Sequence, residues 1–359
     1  MKTREKLYIA GTGMISSVGG DVAMTSAAVN AGISGYGISE FNGVNNESVT
    51  MTRVPDSFFS TIDVEIKKSR RFNKRHDRVT KMAIVAIREA CALHTTAQSV
   101  PLLLAMPEEQ VDEEGLSPLI NNLEHNCTPW ISNKLCRSFF SGRAAGMDGI
   151  DFAFRYLSDH PDKFILVGGS DSYLDYSRID PLAQDDRLLS ESNMDGFAPG
   201  EAASFLLLTP HPDIAMQRNG HIVALNYPGV ANEVGHLHSE VPYRGEGLAQ
   251  AFKQALNKQT QPKIHSIYSS MNGESHWAKE YGVAFIRNKQ DFLDTVTTEH
   301  PADILGDIGS ATSSMLIALA AEDLYRNDSA RAHLVYSSSD AARRGAIVLE
   351  KVVVTETHS

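Results

Sequence analysis

Phe139-Phe140-Ser141-Gly142-Arg143-Ala144-Ala145-Gly146 carries an apolar segment into a turn of small residues, where Gly and Ala allow close backbone approach and a deeply buried helix start. The helix predicted from there runs to about Leu157. Met147, Ile150, Phe154 and Leu157 recur at helical spacing with small residues between them, as in a helix packed on more than one side. Pro161 is expected to stop it. Phe164-Ile165-Leu166-Val167, closed by Gly168-Gly169, reads as a strand buried on both faces. Residues 139–169 are therefore strand, elbow, helix, strand.

A sharp turn at a helix N-terminus is where several α/β enzymes expose a nucleophile and offer backbone N–H groups to an oxyanion. The side chain at this tip is Arg143. A guanidinium stays protonated at any working pH and cannot attack a carbonyl, so the chemistry that the architecture suggests is missing.

Around this unit lie 359 residues, 42% of them hydrophobic, with no low-complexity tract: enough for a large core and two fused halves. A net charge of −11 argues against nucleic acid as the main partner. Residues 67–78 are a local basic cluster, either a solvated helix approach or a docking patch for an acidic partner. Cys91, Cys127 and Cys136 show no paired spacing and no zinc pattern, which fits reduced thiols in a cytoplasm. The charged start and the short apolar run before Gly11 suggest neither a signal peptide nor a membrane span.

In chain order, a first strand over residues 7–10 is expected to close at Gly11-Thr12-Gly13, and Asp21 to cap a helix reaching about Ala31. The third glycine of a dinucleotide loop is lacking. Residues 32–60 read as turn-rich. A strong helix spans 77–93, with Val79, Met82, Ala83, Ala86, Ile87 and Ala90 in one apolar stripe, and a strand follows at 101–105. Residues 108–114 read as an acidic, solvated segment, and the stretch to Leu135 as a loop with a short helix. Later strands are expected at 204–208, 220–225, 264–270, 333–336 and 346–349, and helices at 245–256 and 315–325. His236 and His238 fit an exposed loop better than a metal site, because no third ligand is indicated. A second small-residue elbow follows Gly306, so the second half echoes the first, with a boundary near Pro210 and Pro212.

Five segments, in order, carry a resemblance. They are residues 8–19; Asp77-Arg78 opening an Ala-rich helix; the turn expected at Gly168-Gly169-Ser170-Asp171-Ser172; Asp195-Gly196-Phe197 with Gly200-Glu201-Ala202; and Gly245-Glu246-Gly247-Leu248-Ala249. Together they resemble the β-ketoacyl synthase branch of the thiolase-like superfamily over nearly the full chain. The resemblance implies a thiolase-like five-layer αβαβα fold made of two similar halves, 1–209 and 210–359.

Members of that family condense acyl thioesters with a Cys nucleophile at the first elbow, two His residues and a supporting Lys. Here the elbow aligns Arg143 with the Cys. The first His loop reads Asn272-Gly273-Glu274, the second reads Gly306-Asp307, the Lys position falls near Ala302, and the Gly-rich Phe loop has become Ser338-Ser339-Asp340-Ala341-Ala342. All catalytic positions depart at once, so no catalytic residue is expected and Arg143, Asn272 and Asp307 stand as degenerate active-site positions. The chain is also shorter than usual members, mainly between Ala105 and Phe139, which puts a full-length acyl tunnel in doubt. Cys136 reads as a structural thiol, and Ser141 has only His276 as a candidate activator.

A buried Arg at a helix N-terminus opposes the helix dipole and needs an acid. Arg143 and Asp307 are therefore expected to meet as an ion pair plugging the old site, with Asn272 nearby; a separation above about 8 Å would overturn this. The implied function is that of a catalytically inactive β-ketoacyl synthase-like partner subunit, adaptor or accessory protein. It would act as a homodimer, or a heterodimer with a ketosynthase or another protein, with an acyl carrier protein as a further implied partner. The alternative is a condensing or acyl-transfer enzyme acting on acyl-ACP or acyl-CoA thioesters through a non-standard site, with Cys136 or Ser141 as nucleophile. No cofactor and no metal are expected.

Overall fold

The computed structural model describes residues 5–43, 47–60, 62–68, 73–96, 98–108, 113–160, 162–256 and 262–354. Pro161, and parts of the basic cluster and of the acidic segment, lie outside these residues. The first half contains β1 (Lys6–Ile15), α1 (Val22–Asn30), β2 (Tyr36–Asn42), β3 (Ser48–Thr52), α2 (Lys74–Cys91), β4 (Leu102–Ala105), α3 (Glu113–Asn126), β5 (Cys136–Phe139), α4 (Ala145–Asp159), β6 (Ile165–Ser172), α5 (Tyr176–Gln184) and β7 (Glu201–Thr209). The second contains β8 (His221–Asn226), β9 (Gly229–Asn232), α6 (Glu246–Ala255), β10 (Ile264–Tyr268), α7 (Ser275–Arg287), β11 (Phe292–Glu299), α8 (Ala302–Leu305), α9 (Thr312–Arg326), β12 (Ala332–Ser338) and β13 (Arg343–Val353).

The strand order repeats. In the first half it is β1-β7-β6-β4-β5, and in the second β8-β13-β12-β10-β11. Directions repeat too: β4 is parallel to β5 and β6 while β7 is antiparallel to β6 and β1, and β10 is parallel to β11 and β12 while β13 is antiparallel to β12 and β8. Antiparallel pairing of Lys6–Tyr8 with Ala224–Asn226 joins the two into one continuous sheet.

Helices α4 and α9 pack on each other and on strands of both halves, forming a central layer. Phe154, Met147, Ile150, Met315 and Leu324 lie there without solvent contact. Helix α2 covers the outer face of the first sheet, and α6, backed by α7, that of the second. The layers run αβαβα. Helix α2 forms because Asn73 caps it by accepting from the His76 N–H, and because the expected apolar stripe is wholly buried.

Several local expectations are corrected. Strand β1 continues through Gly11 and Gly13, which are there because α2 crosses them. A Cβ at Gly11 would stand 2.0 Å from the Ala90 carbonyl oxygen, and one at Gly13 1.9 Å from that of Ala86. Gly168 to Ser172 is not a turn but the continuation of β6, antiparallel to β7. Residues 32–60 contain the β2–β3 hairpin, and the short helix expected in the loop before Leu135 is α3, 14 residues long. Strand β11, an edge strand with alternating burial, and α7 were not legible as elements.

Candidate functional site

Strand β5 delivers the chain to the elbow. Gly142 turns it with φ +52°, Gly142–Ala144 form a single 3-10 turn, and α4 begins at Ala145. The matching turn of the second half is Gly309–Ala311, with φ +55° at Gly309, leading into α9. The equivalent of Gly142 is therefore Gly309 rather than Gly306, and the residue matching Arg143 is Ser310. Asp307 lies just before that turn, where its Oδ1 accepts the Gly309 N–H at 2.9 Å. The two elbows come close because their helices begin with small residues: a Cβ on Gly146 would stand 2.7 Å from the Ser313 Cβ.

The structure brings Arg143, Asp307 and Asn272 together. Arg143 is 5% exposed, and its Nη1 donates to Asp307 Oδ2 at 2.5 Å. Asn272 Nδ2 donates to the same oxygen at 2.9 Å. Arg143 Nε donates to the Ser338 carbonyl at 2.9 Å, Nη2 donates to Asp340 Oδ1, and the guanidinium lies 4.6 Å from the Trp277 ring centre. The network extends outward. Arg187 donates to Asp340 at 2.8 Å and, through Nε and Nη2, to both oxygens of Glu274 at 2.8 and 2.9 Å. Glu274 in turn accepts from the Trp277 indole and from Asn272.

Burial works against charge on Arg143, but Asp340 and Asp307 outweigh it and raise its pKa well above the ordinary guanidinium value. Burial likewise opposes ionisation of Asp340. The Arg143 and Arg187 guanidiniums prevail there, holding the carboxyl well below the usual carboxylate range. A cation so held has no free electron pair and every nitrogen occupied, so it can neither attack a thioester nor move protons.

Little space remains. A cavity of about 170 Å³ opens in front of the pair, between Glu108, Arg143, Tyr173, Arg178, Arg187 and His238. Behind it, among Asn272, Leu305, Met315 and Leu316, a cavity of about 20 Å³ has room for one water and not for an acyl chain.

The other candidates make no hydrogen bond to this arrangement among the described residues. Cys136 pairs with Leu102 in the sheet and is half-buried against the outer core, where burial pushes its thiol up to about 12. Ser141 donates to Asp148 Oδ2 at 2.6 Å, and Asp148 also accepts from Arg343. His276 begins α7 beside Tyr243 and Trp277; burial lowers its pKa, and its Nε2 has no hydrogen-bond partner among the described residues. Its unpartnered Nε2 makes no hydrogen bond to the Ser141 hydroxyl, which donates to Asp148. Among the described residues no group of three His, Cys, Asp or Glu could hold a metal, and no helix is long and apolar enough to cross a membrane.

Sequence reasoning missed Arg187, Trp277 and Glu108. Glu108 falls in the stretch whose acidic sequence reads as solvated, whereas its carboxylate turns inward onto the loop at 339–341. No local pattern marks these residues; each is brought in from a separate part of the chain.

No family model matches this sequence, and no curated protein matches it. Solved structures do share its fold. A chain of the ishigamide ketosynthase/chain length factor superposes with TM-score 0.73 at 16% identity, covering 97% of this chain and 99% of that one. A chain from the complex of a type II PKS acyl-carrier protein with its ketosynthase bound to the hexaketide gives 0.74 at 15%, covering 97% and 100%. The oxazolomycin ketosynthase domain KS7 of Streptomyces albus JA3453 gives 0.74 at 11%, covering 98% and 76%. The chain has the thiolase-like ketosynthase fold.

Proposed function

We propose that this protein is a catalytically inactive ketosynthase-like subunit that acts through its surface, as the partner of another protein in a cytoplasmic acyl-thioester pathway. The observation that carries the reading is the buried Arg143–Asp307 pair at the elbow where the fold's enzymes keep their nucleophile. Structures of the same fold include a ketosynthase/chain length factor and a ketosynthase with its acyl-carrier protein, which supports a ketosynthase or a carrier protein as partner. The repeated strand order supports a division into halves at 1–209 and 210–359. The free thiols Cys91, Cys127 and Cys136 fit a reducing compartment.

A route to pairing is visible at β5. Its hydrogen-bonded neighbour is β4, no strand among the described residues pairs with its other edge, and Leu135 and Phe140 beside it are 42% and 44% exposed. The deciding experiment is intact-protein mass spectrometry after incubation with acyl-carrier-protein and coenzyme A thioesters, beside light scattering of the same sample alone and mixed with a ketosynthase from the same organism. A dimer without an acyl adduct is the expected result, and F140K is expected to shift it toward monomer. An adduct mapped to one residue would overturn the reading.

A further inference from the structure

Glu108 enters the pocket from the segment after β4, and its carboxylate is held by a turn instead of by a cation. Oε1 accepts from the Ser339 hydroxyl and, at 2.7 Å, from the Asp340 N–H, while Oε2 accepts from the Ala341 N–H at 3.0 Å. No ion pair holds Glu108 among the described residues. Two successive backbone N–H groups and a hydroxyl converging on one group form a concavity that favours an anion over a neutral acceptor.

The turn does not need Glu108 to keep its shape. Arg344 Nη1 donates to the carbonyls of Ser339 at 2.7 Å and Ala341 at 2.6 Å, and Ser339 N–H donates to the Arg343 carbonyl at 2.9 Å. Arg143 and Arg187 hold the Asp340 side chain, and the Leu237 N–H donates to its carbonyl at 3.2 Å. With the turn tied from several elements, its N–H groups stay aimed at one point whatever fills it.

Space at that point is also built in. A Cβ on Gly142 would stand 2.8 Å from Glu108 Cγ, so the elbow glycine leaves the room that the carboxylate uses. The cavity of about 170 Å³ opens on the same spot. We propose that the 339–341 turn is a carboxylate-binding site that the chain fills with its own Glu108, and that vacating Glu108 opens it to a small external carboxylate. The site adjoins the Arg143 plug, but its affinity for carboxylate is independent of whether any thioester reacts.

Acetate and E108A provide the test. The variant is expected to melt a few degrees below the parent and to regain much of that loss with acetate, saturably and on the order of 10 mM. Chloride at equal ionic strength and acetamide should not restore it, and acetate should not move the parent. A folded E108A indifferent to acetate beyond chloride, or a parent that responds equally, would overturn the proposal. Should E108A not fold, E108Q decides: its carboxamide keeps the volume but sets an NH2 against an N–H donor, so a loss of about tenfold or more in the folding constant is expected. E108Q as stable as the parent would overturn it. An acyl adduct on the parent would sink the inactive-subunit reading alone, and absence of an acetate effect would sink the carboxylate site alone.

Discussion

Arg143 Nη1 stands 2.5 Å from Asp307 Oδ2, and the two side chains are 5% and 0% exposed. Desolvating both charges costs more than surface pairs do, and the pair is tolerated because Asn272 and the Gly309 N–H satisfy the remaining Asp307 lone pairs. D307N leaves Asp340 as the carboxylate paired with the guanidinium in this interior. It is expected to lower stability by about 3–5 kcal/mol in urea unfolding, and R143M with D307N to recover part of that loss. A D307N protein as stable as the parent would show that the pair holds little.

Restoring a thiol at the elbow is not expected to restore chemistry. R143C would place its sulfur where the arginine Cγ stands and leave Asp307 and Asp340 without the cation between them, and their negative charges disfavour a thiolate nearby. The positions that the resemblance aligns with the enzymes' two histidines are Asn272 and Asp307, neither of which can act as an imidazole. Mass spectrometry after exposure to acyl thioesters should detect no adduct on R143C; rapid acylation would mean that Arg143 alone silences the site.

Acid should loosen the same network. The Asp340 carboxyl is held below its ordinary value of about 3.9, so in the window between the folded and unfolded values the unfolded chain binds the extra proton. The stabilisation is complete above the unfolded value and is lost as pH falls through the folded one. Denaturation midpoints are expected to drop from about pH 4 downward. D340N should start lower at neutral pH and fall less steeply in that window; equal slopes would assign the acid sensitivity elsewhere.

The cysteines should behave as interior groups. Burial pushes Cys127 and Cys136 up to about 12 and Cys91 higher still. Iodoacetamide at pH 8 is expected to label the native protein slowly, and the unfolded protein quickly. Fast native labelling of Cys136 would reopen it as a nucleophile.

Much of the architecture could be read locally. The stripe from Val79 to Ala90, the apolar run at 164–167 and the two small-residue elbows each state their element within a dozen residues, because periodicity and glycine placement are local properties. Boundaries failed where a neighbour decided them. Gly11 and Gly13 look like the end of a strand, and only the crossing of α2 over β1 shows that they lie inside it. Strand β11 is polar on its exposed positions, so its pairing with β10 carries the information that its sequence lacks.

The amino-acid sequence by itself determined the duplicated α/β plan and that Arg143, the side chain at the elbow tip, is no nucleophile, since a guanidinium cannot become one in any fold. Charge logic also required a buried acid for Arg143 and pointed to Asp307. Only the tertiary structure decided that Asp340, Arg187 and Glu274 complete the network and that Glu108 turns into it. Those side chains come from loops far apart in the chain, and a hydrogen bond depends on distances that sequence spacing does not encode.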